Sequence, residues 1–257
     1  MLGAICGDFI GSTYEWKNVK TKEFDLLPKQ SRITDDSVMT IATLEALLDN
    51  SDDFATYYRK WYLKYPRSGY GGGFRKWATD PNAQAYNSWG NGAAMRVSPV
   101  AYFYTNITEL LWVAERTAKV SHNHLEGIKG AQATAACVYM ALNNKDKEFI
   151  KNFIKREFYY NLDFTLSEIR DTYEFDVSCQ GSVPQAIVAF LESNNYEDAI
   201  RNAISIGGDS DTIACITGGI AEAFYKHIPR TIINTVTLSL PKDILDILIR
   251  FEEYKKE

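Results

Sequence analysis

Two short acidic clusters lie far apart in the sequence, and each stands directly before an apolar helical run. The first, Thr-Asp-Asp-Ser, spans residues 34–37, and the second, Gly-Asp-Ser-Asp-Thr, spans residues 208–212. Apolar residues recur at helical spacing over residues 37–50 and 212–224, which predicts two helices that begin at the clusters. A fold in which these two helix starts converge places four carboxylates and two threonine hydroxyls together.

Either cluster alone is explained as a helix cap, because Asp, Ser and Thr are the residues that cap helix N-termini. One cap is enough for each helix, however, and four converging carboxylates with little basic sequence nearby repel one another. Carboxylate and hydroxyl oxygens are the hard ligands that Mg²⁺, Mn²⁺ and Ca²⁺ prefer. The sequence therefore favours a two-ion site over double capping.

Composition narrows the class of protein. The chain has 257 residues, 46% of them hydrophobic, which predicts a soluble globular protein with a real core, in one large domain or two small ones. Its net charge of −5, without a basic stripe, argues against bulk binding of nucleic acid, although a modified base or nucleotide terminus remains a possible substrate. We find no signal peptide and no membrane-spanning run, so a cytoplasmic protein is expected. The four scattered cysteines are predicted to be reduced and structural.

Helical patterns dominate the chain and strand signals are scarce, which predicts an all-α domain. A first helix is predicted over residues 2–10, where Gly3, Gly7 and Gly11 form a smooth stripe that lets another helix approach closely. Residues 16–33 and 66–90 are predicted to be irregular functional loops. Further helices are predicted over residues 54–64, 92–103, 107–120, 125–143, 147–158, 166–173, 182–192, 196–205 and 241–254.

Four weaker signals remain ambiguous by themselves. Glu15, just after the first helix, is read alone as a surface residue. The glycine-rich residues 68–74 offer N–H groups for a phosphate but match no P-loop or dinucleotide motif. Gly-Asn-Gly at residues 90–92 suits either an anion site at a helix start or a simple turn. The histidines at residues 122–124 lack a third soft ligand, so zinc is not predicted, while His122 is suited to hydrogen-bond a ligand or stack on a base.

Five motifs occur in a fixed order along the chain. They are Gly7-Asp8 with Gly11 and Glu15, residues 34–37, residues 90–96, Ser121-His122, and residues 207–212. Together they resemble the ADP-ribosylglycohydrolases, the family of dinitrogenase reductase-activating glycohydrolase and the ADP-ribosyl-acceptor hydrolases. The similarity extends over residues 3–225 and implies a compact single-domain all-α orthogonal helical bundle covering residues 1–257, with two Mg²⁺ or Mn²⁺ ions at the bottom of a cleft.

The resemblance also implies a role for each matching residue. In that family the metals engage hydroxyls of the ribose attached to the target and orient its anomeric carbon for attack by water. Glu15 becomes a candidate acid/base or gating residue, with Asp35 and Asp36 beside it in the catalytic centre. The implied metal ligands are Thr34, Asp35, Asp36, Asp209, Asp211 and Thr212, and the implied substrate-binding residues are Gly71, Gly72, Gly73, Ser88, Gly90, Asn91, Gly92 and, toward the adenosine, His122.

Ser88 departs from one branch of the family. The bacterial enzyme that acts on arginine carries an aspartate two residues before its Gly-Asn-Gly, whereas here Ser88 occupies that position. The resemblance therefore implies a hydrolase that cleaves the C1″ bond of an ADP-ribosylated protein, nucleic-acid end or small molecule, with O-linked preferred over arginine-linked substrates. The alternatives are a binding module for ADP-ribose or a related nucleotide and a structural protein recruited from this fold; the intact acidic clusters argue against both.

Overall fold

A computed structural model describes residues 1–256 of the chain. Over this range the protein forms α-helices and two short 3-10 helices, and it has no β-strand, which confirms the all-α prediction. The α-helices are α1 (Leu2–Gly11), α2 (Asp35–Leu48), α3 (Phe54–Lys64), α4 (Gly72–Thr79), α5 (Ile107–Lys119), α6 (Leu125–Leu142), α7 (Lys147–Phe158), α8 (Leu166–Ile169), α9 (Cys179–Leu191), α10 (Tyr196–Ile204), α11 (Ser210–Tyr225), α12 (Arg230–Ser239) and α13 (Lys242–Tyr254).

The contact between α1 and α11 is the closest helix packing in the fold. A Cβ atom on Gly3 would lie 2.5 Å from the carbonyl oxygen of Gly218, and one on Gly7 would lie 2.0 Å from that of Ala214. At the end of α1, a Cβ on Gly11 would lie 2.5 Å from the carbonyl oxygen of Ser210. The order of these pairs makes the two helices antiparallel, so α1 ends where α11 begins.

Around this pair the remaining helices build one core. Helix α11 is buried along almost its whole length and packs on α1, α6, α9 and α10. The buried apolar side chains form one continuous cluster that includes residues from α1 to α13. All four cysteines are buried and free, as the sequence predicted. None of the helices in residues 1–256 is both long and apolar enough to cross a membrane.

Two sequence predictions are wrong around the Gly-Asn-Gly motif. Residues 92–103 do not form one helix. The segment instead contains two short 3-10 helices, Asn91–Ala93 and Ser98–Tyr102, because Pro99 has no backbone N–H to continue an α-helix. The predicted loop over residues 66–90 contains α4, whose Phe74, Trp77 and Ala78 are buried at helical spacing. Gly71, Gly72 and Gly73 lie at the start of α4, and this glycine-rich sequence is typical of a loop, which is why the helix was not predicted.

Helix boundaries differ elsewhere too. Helix α8 ends at Ile169, four residues before the predicted end at residue 173, and continues as a turn. Helix α9 begins three residues before the predicted start at residue 182, because Ser178 caps it by accepting a hydrogen bond from Gly181 N. Helix α12 was not predicted, since its run of Thr, Ile and Val has low helix propensity and only tertiary packing of Ile232 and Val236 favours the helix.

The packing of α1 on α11 generates a stability prediction. Because a Cβ at residue 7 has no room beside the Ala214 backbone, Gly7→Ala should force the helices apart and lower the free energy of unfolding by about 3 kcal/mol. Gly72→Ala is the matched control, since nothing lies within 4 Å of a Cβ at this helical glycine. We expect the control to change stability by less than about 1 kcal/mol. Urea denaturation measures both, and equal stabilities would contradict close packing at Gly7.

Candidate metal and ligand site

A cavity of about 440 Å³ opens where α1 ends and where α2 and α11 begin. Of the residues predicted to form the site, only Gly72 lies outside the lining of this cavity. It belongs to the first turn of α4, where consecutive residues point in directions about 100° apart, so Gly73 faces the cavity and Gly72 does not. The predicted residues that line it are Glu15, Thr34, Asp35, Asp36, Gly71, Gly73, Ser88, Gly90, Asn91, Gly92, His122, Asp209, Asp211 and Thr212.

At one end of the cavity, carboxylates from three parts of the chain converge. Oxygens of Asp8, Asp36 and Asp211 lie within 4.8 Å of one another, and so do oxygens of Glu15, Asp209 and Asp211. The two groups share Asp211, which stands in the first turn of α11. The two acidic clusters of the sequence therefore meet, as predicted, and Glu15 lies beside them.

Asp8 was not among the predicted site residues, yet it holds the start of α2 in place. Its carboxylate accepts hydrogen bonds from Thr34 N at 2.9 Å, from Thr34 Oγ1 at 2.6 Å and from Ser37 N at 3.0 Å, and also from the Ser37 hydroxyl. The side chain is fully buried. A single aspartate in an otherwise apolar, glycine-striped helix was the available signal, because a charge is rarely buried without a partner.

Burial is the largest cause of the raised pKa values of these carboxyl groups. It raises the pKa of Asp36, Asp35 and Asp209 well above the ordinary value, and the negative charge of Asp211 raises each further. The same two causes raise the pKa of Asp8 to about 7 and that of Glu15 to about 7. The cluster by itself therefore favours protonated carboxyls at a pH where isolated carboxyls are ionised.

The donor set fits divalent cations. Asp36 Oδ1 is buried and has no hydrogen-bond partner in residues 1–256. The hydroxyls of Thr34 and Thr212 lie 3.3 Å and 3.2 Å from Asp36 Oδ2, so hard oxygen atoms surround this carboxylate. Asp35 is in neither group of three carboxylates; it is half-buried next to Gly69, whose Cβ would lie 2.8 Å from Asp35 Oδ1.

Asn91 links the Gly-Asn-Gly segment to the acidic cluster. Its side-chain amide donates to Asp209 Oδ2 at 2.6 Å and to Ser182 Oγ at 2.9 Å, while its backbone N–H donates to Val177 O at 2.8 Å. The amide therefore orients an aspartate. Asn91 also lines the cavity, and its contact with the substrate stays a prediction. The glycines on either side serve a different purpose.

Gly90 and Gly92 make room for the imidazole of His122. A Cβ at Gly92 would lie 3.0 Å from His122 Nε2, and one at Gly90 would lie 3.6 Å from the same atom. His122 is buried and packs edge-on against the ring of Tyr86. Burial and then the charge of Arg96 lower the pKa of His122 well below its usual value, so the ring is neutral at pH 7.

Aromatic side chains that were not predicted stand at the mouth of the cavity. Trp16 is 77% exposed and stacks on Phe175 with ring centroids 5.3 Å apart. Both rings line the cavity together with the exposed Arg32. The positive charge of Arg32 opposes the rise in the pKa of its neighbour Glu15. No periodic pattern marks these residues, because they lie in the irregular segments before α2 and α9.

Ser88 lines the cavity with its hydroxyl accepting from Gly90 N at 3.1 Å. Asp80 is an exposed acid at the end of α4, and it does not line the cavity. The part of the cavity next to Ser88 therefore has no carboxylate from that acid.

Comparisons with known proteins agree with this geometry. The family model described as ADP-ribosylglycohydrolase matches residues 1–256. ADP-ribosylhydrolase ARH3 of Xenopus tropicalis is 28% identical, with 89% of this chain and 87% of that protein covered. The human ARH3 is 26% identical (88% and 84% covered), and the ADP-ribosylarginine hydrolase Tri1 of Pseudomonas putida is 25% identical (88% and 69% covered).

A solved structure described as an ADP-ribosylglycohydrolase-related protein complex has the same fold, with a TM-score of 0.73 at 24% identity. The match covers 97% of this chain and 94% of that one. Because the family model spans all residues but the last, the assignment does not depend on a single motif. The chain belongs to the ADP-ribosylglycohydrolase family.

Proposed function

We propose that this protein is an ADP-ribosyl hydrolase that depends on two divalent cations, Mg²⁺ or Mn²⁺, and cleaves the bond between C1″ of ADP-ribose and an acceptor. The observation that carries the proposal is the convergence of Asp8, Asp36, Asp209 and Asp211 with Glu15 at one end of a ligand-sized cavity. The ARH3 relatives are named as ADP-ribosylhydrolases, which supports this reaction class.

The ligands in this proposal are Thr34, Asp35, Asp36, Asp209, Asp211 and Thr212. Bound cations would neutralise the carboxylates and coordinate ribose hydroxyls, which orients the anomeric carbon for reaction. Asp8 has a different task, because its oxygens already accept four hydrogen bonds from Thr34 and Ser37. It positions the hydroxyl and the helix start that the site requires.

Glu15 is the proposed proton acceptor for the attacking water. Its carboxylate is half-buried, lies within 4.8 Å of Asp209 and Asp211 oxygens, and belongs to an irregular segment at the mouth of the cavity. Burial, the largest cause of its raised pKa, makes the Glu15 carboxylate a stronger proton acceptor than an exposed glutamate. The acceptor alcohol that leaves C1″ needs such a proton.

The other end of the cavity is proposed to bind the ADP portion of the ligand. Gly71 and Gly73 stand at the start of α4, where backbone N–H groups lack helical partners and suit a phosphate oxygen. His122 and Tyr86 are a neutral ring pair beside them, suited to the nucleoside. This arrangement leaves the acceptor at the side of Glu15 and Trp16.

We propose that O-linked ADP-ribose is preferred over arginine-linked ADP-ribose. A guanidinium leaving group is basic and gains from a carboxylate that holds its charge, whereas an alcohol requires chiefly charge neutralisation and a proton. Ser88 supplies a hydroxyl where the arginine-specific branch of the family has an acid. The name of the Tri1 relative records action on ADP-ribosylarginine, so linkage varies among relatives of similar identity.

Metal removal should reveal the cost of the acidic cluster. Carboxyls with a folded pKa of about 7 and an unfolded pKa of about 4 stabilise the fold below pH 4, and this stability is lost as the pH rises toward 7. Without cations, we therefore expect this destabilisation to be complete at pH 8. Mn²⁺ at a fixed concentration of about 100 times its Kd at pH 8 should then add about 2.7 kcal/mol at pH 8. The same concentration should add much less at pH 5, where protons compete for the carboxylates and weaken Mn²⁺ binding.

Asp36→Asn provides the matched test of that prediction. The amide removes one charge from the cluster, so the variant in EDTA should unfold at a higher temperature than the wild type at pH 8. It also removes a ligand, so Mn²⁺ should stabilise it far less. Differential scanning fluorimetry at pH 5 and pH 8 measures the unfolding temperatures of wild type and variant, each in EDTA and with Mn²⁺. A wild type that Mn²⁺ stabilises equally at pH 5 and pH 8 would contradict the charge argument.

Glu15→Gln should separate binding from turnover. The amide keeps the size of the side chain but accepts no proton, so we expect hydrolysis of ADP-ribosylserine peptide to fall by about 100-fold or more. ADP-ribose affinity should stay within about threefold, since glutamine keeps one acceptor oxygen and the size of the side chain. Glu23→Gln, an exposed substitution in the same loop, is the control. Undiminished turnover in Glu15→Gln would remove this carboxylate from the mechanism.

The linkage preference is tested at Ser88. Wild type should release ADP-ribose faster from a serine-linked than from an arginine-linked peptide. Ser88→Asp should raise arginine-linked turnover by about 10-fold, because a charge-assisted hydrogen bond to guanidinium has that worth. Asn87→Asp places the same charge on the adjacent exposed residue and should leave the ratio unchanged. Faster arginine-linked turnover by wild type would refute the preference.

A further inference from the structure

A permanent positive charge is buried in the wall of the cavity, which Arg96 lines. The Arg96 side chain is fully buried, and its guanidinium lies 4.1 Å from the centre of the Tyr58 ring. Its Nη2 donates to Thr117 O at 2.7 Å and to Ser121 Oγ at 2.8 Å, whereas Nε and Nη1 have no partner within residues 1–256. No carboxylate pairs with Arg96 in that range. A buried arginine with few partners needs an explanation beyond packing.

The hydroxyl of Ser121 joins Arg96 to His122. Its Oγ lies 2.8 Å from His122 Nδ1 on one side and 2.8 Å from Arg96 Nη2 on the other. A guanidinium is only a donor, so Ser121 must accept from Arg96. Its single proton then has one acceptor within reach in the described chain, which is His122 Nδ1. If Nδ1 carried a proton instead, the buried hydroxyl hydrogen would have no acceptor.

We propose that Arg96, acting through Ser121, is a positioning residue that holds His122 as the neutral tautomer with its proton on Nε2. The direction of donation runs from the guanidinium to the hydroxyl and from the hydroxyl to the ring, so only Nε2 remains to carry hydrogen. The relay is made of buried groups, and solvent does not compete for its hydrogen bonds.

The other ring nitrogen, Nε2, is turned toward the ligand cavity. His122 Nε2 is the ring atom closest to the Cβ position of Gly92, and it lies 3.5 Å from the hydroxyl oxygen of Tyr86. All three residues line the cavity. His122 is therefore a fixed hydrogen-bond donor and neither a base nor a cation. It selects a ligand that presents an acceptor there, such as a ring nitrogen, a ribose oxygen or a phosphate oxygen.

Imidazole nitrogen NMR tests the tautomer directly, and the chain has only three histidines. Long-range proton–nitrogen correlation spectra of ¹⁵N-histidine-labelled protein at pH 7 should contain one ring with an unprotonated Nδ1 and a protonated Nε2 that is absent from His122→Asn. A His122 ring protonated on Nδ1, or on both nitrogens, would overturn the proposal. This measurement needs no ligand, so it holds even if the proposed hydrolase activity is wrong.

Ser121→Ala removes only the hydroxyl oxygen that connects Arg96 to His122, so both of its hydrogen bonds are lost. We expect its His122 signals to move toward the average of two exchanging tautomers. Ser98→Ala is the matched control, because the Ser98 hydroxyl is also buried but has no hydrogen-bond partner in the described residues. The control should keep the wild-type tautomer. An unchanged His122 spectrum in Ser121→Ala would show that the serine does not fix the ring.

Ligand binding provides the second readout, and this part rests on the proposed function. Calorimetry with ADP-ribose should give a Kd about 3- to 10-fold weaker for Ser121→Ala than for Ser98→Ala, the range of one neutral hydrogen bond. A shifted tautomer with unchanged ADP-ribose affinity would refute the claim that the ligand accepts a hydrogen bond from His122 Nε2. If wild type fails to bind ADP-ribose, the proposed function fails, while the NMR result still decides the relay.

Discussion

The close antiparallel contact of α1 and α11 is the constraint on which the rest of the structure depends. Gly7 and Ala214 touch at backbone distance, and this contact fixes the end of α1 beside the start of α11. Asp8, Glu15 and Asp211 meet there only because no side chain separates the two helices. A larger residue in the stripe would separate the carboxylates as well as reduce packing.

The site combines carboxylates whose hydrogen bonds stabilise the fold with carboxylates whose mutual repulsion destabilises it. Asp8 accepts four hydrogen bonds and fixes the beginning of α2, whereas Asp36 has an oxygen without a partner in the described chain. The side-chain amide of Asn91 donates to Asp209 and fixes its orientation. Structural hydrogen bonds thus hold mutually repelling charges at short range, which is the preorganisation that a cation site requires.

Local sequence signals predicted most of the fold and the centre of the site. Periodicity located most helices. The two acidic clusters predicted where α2 and α11 begin and that these two helix starts lie close together. What failed depended on tertiary contacts. Helix α12 forms against its own propensity, and the hydrogen bond from Asn91 to Asp209 was not predicted. The relay through Arg96 was also invisible, because Ser121 and Arg96 meet only in the folded protein.

The pairing of α1 with α11 also has a kinetic consequence. Its partners are about 200 residues apart, so closing this loop is among the costliest entropic steps in folding. Chains dominated by such distant contacts fold slowly. During synthesis, α1 must wait until α11 leaves the ribosome, with its glycine face uncovered in the meantime. The acidic cluster is thus among the last features to assemble, and a chain that stops before α11 has no site at all.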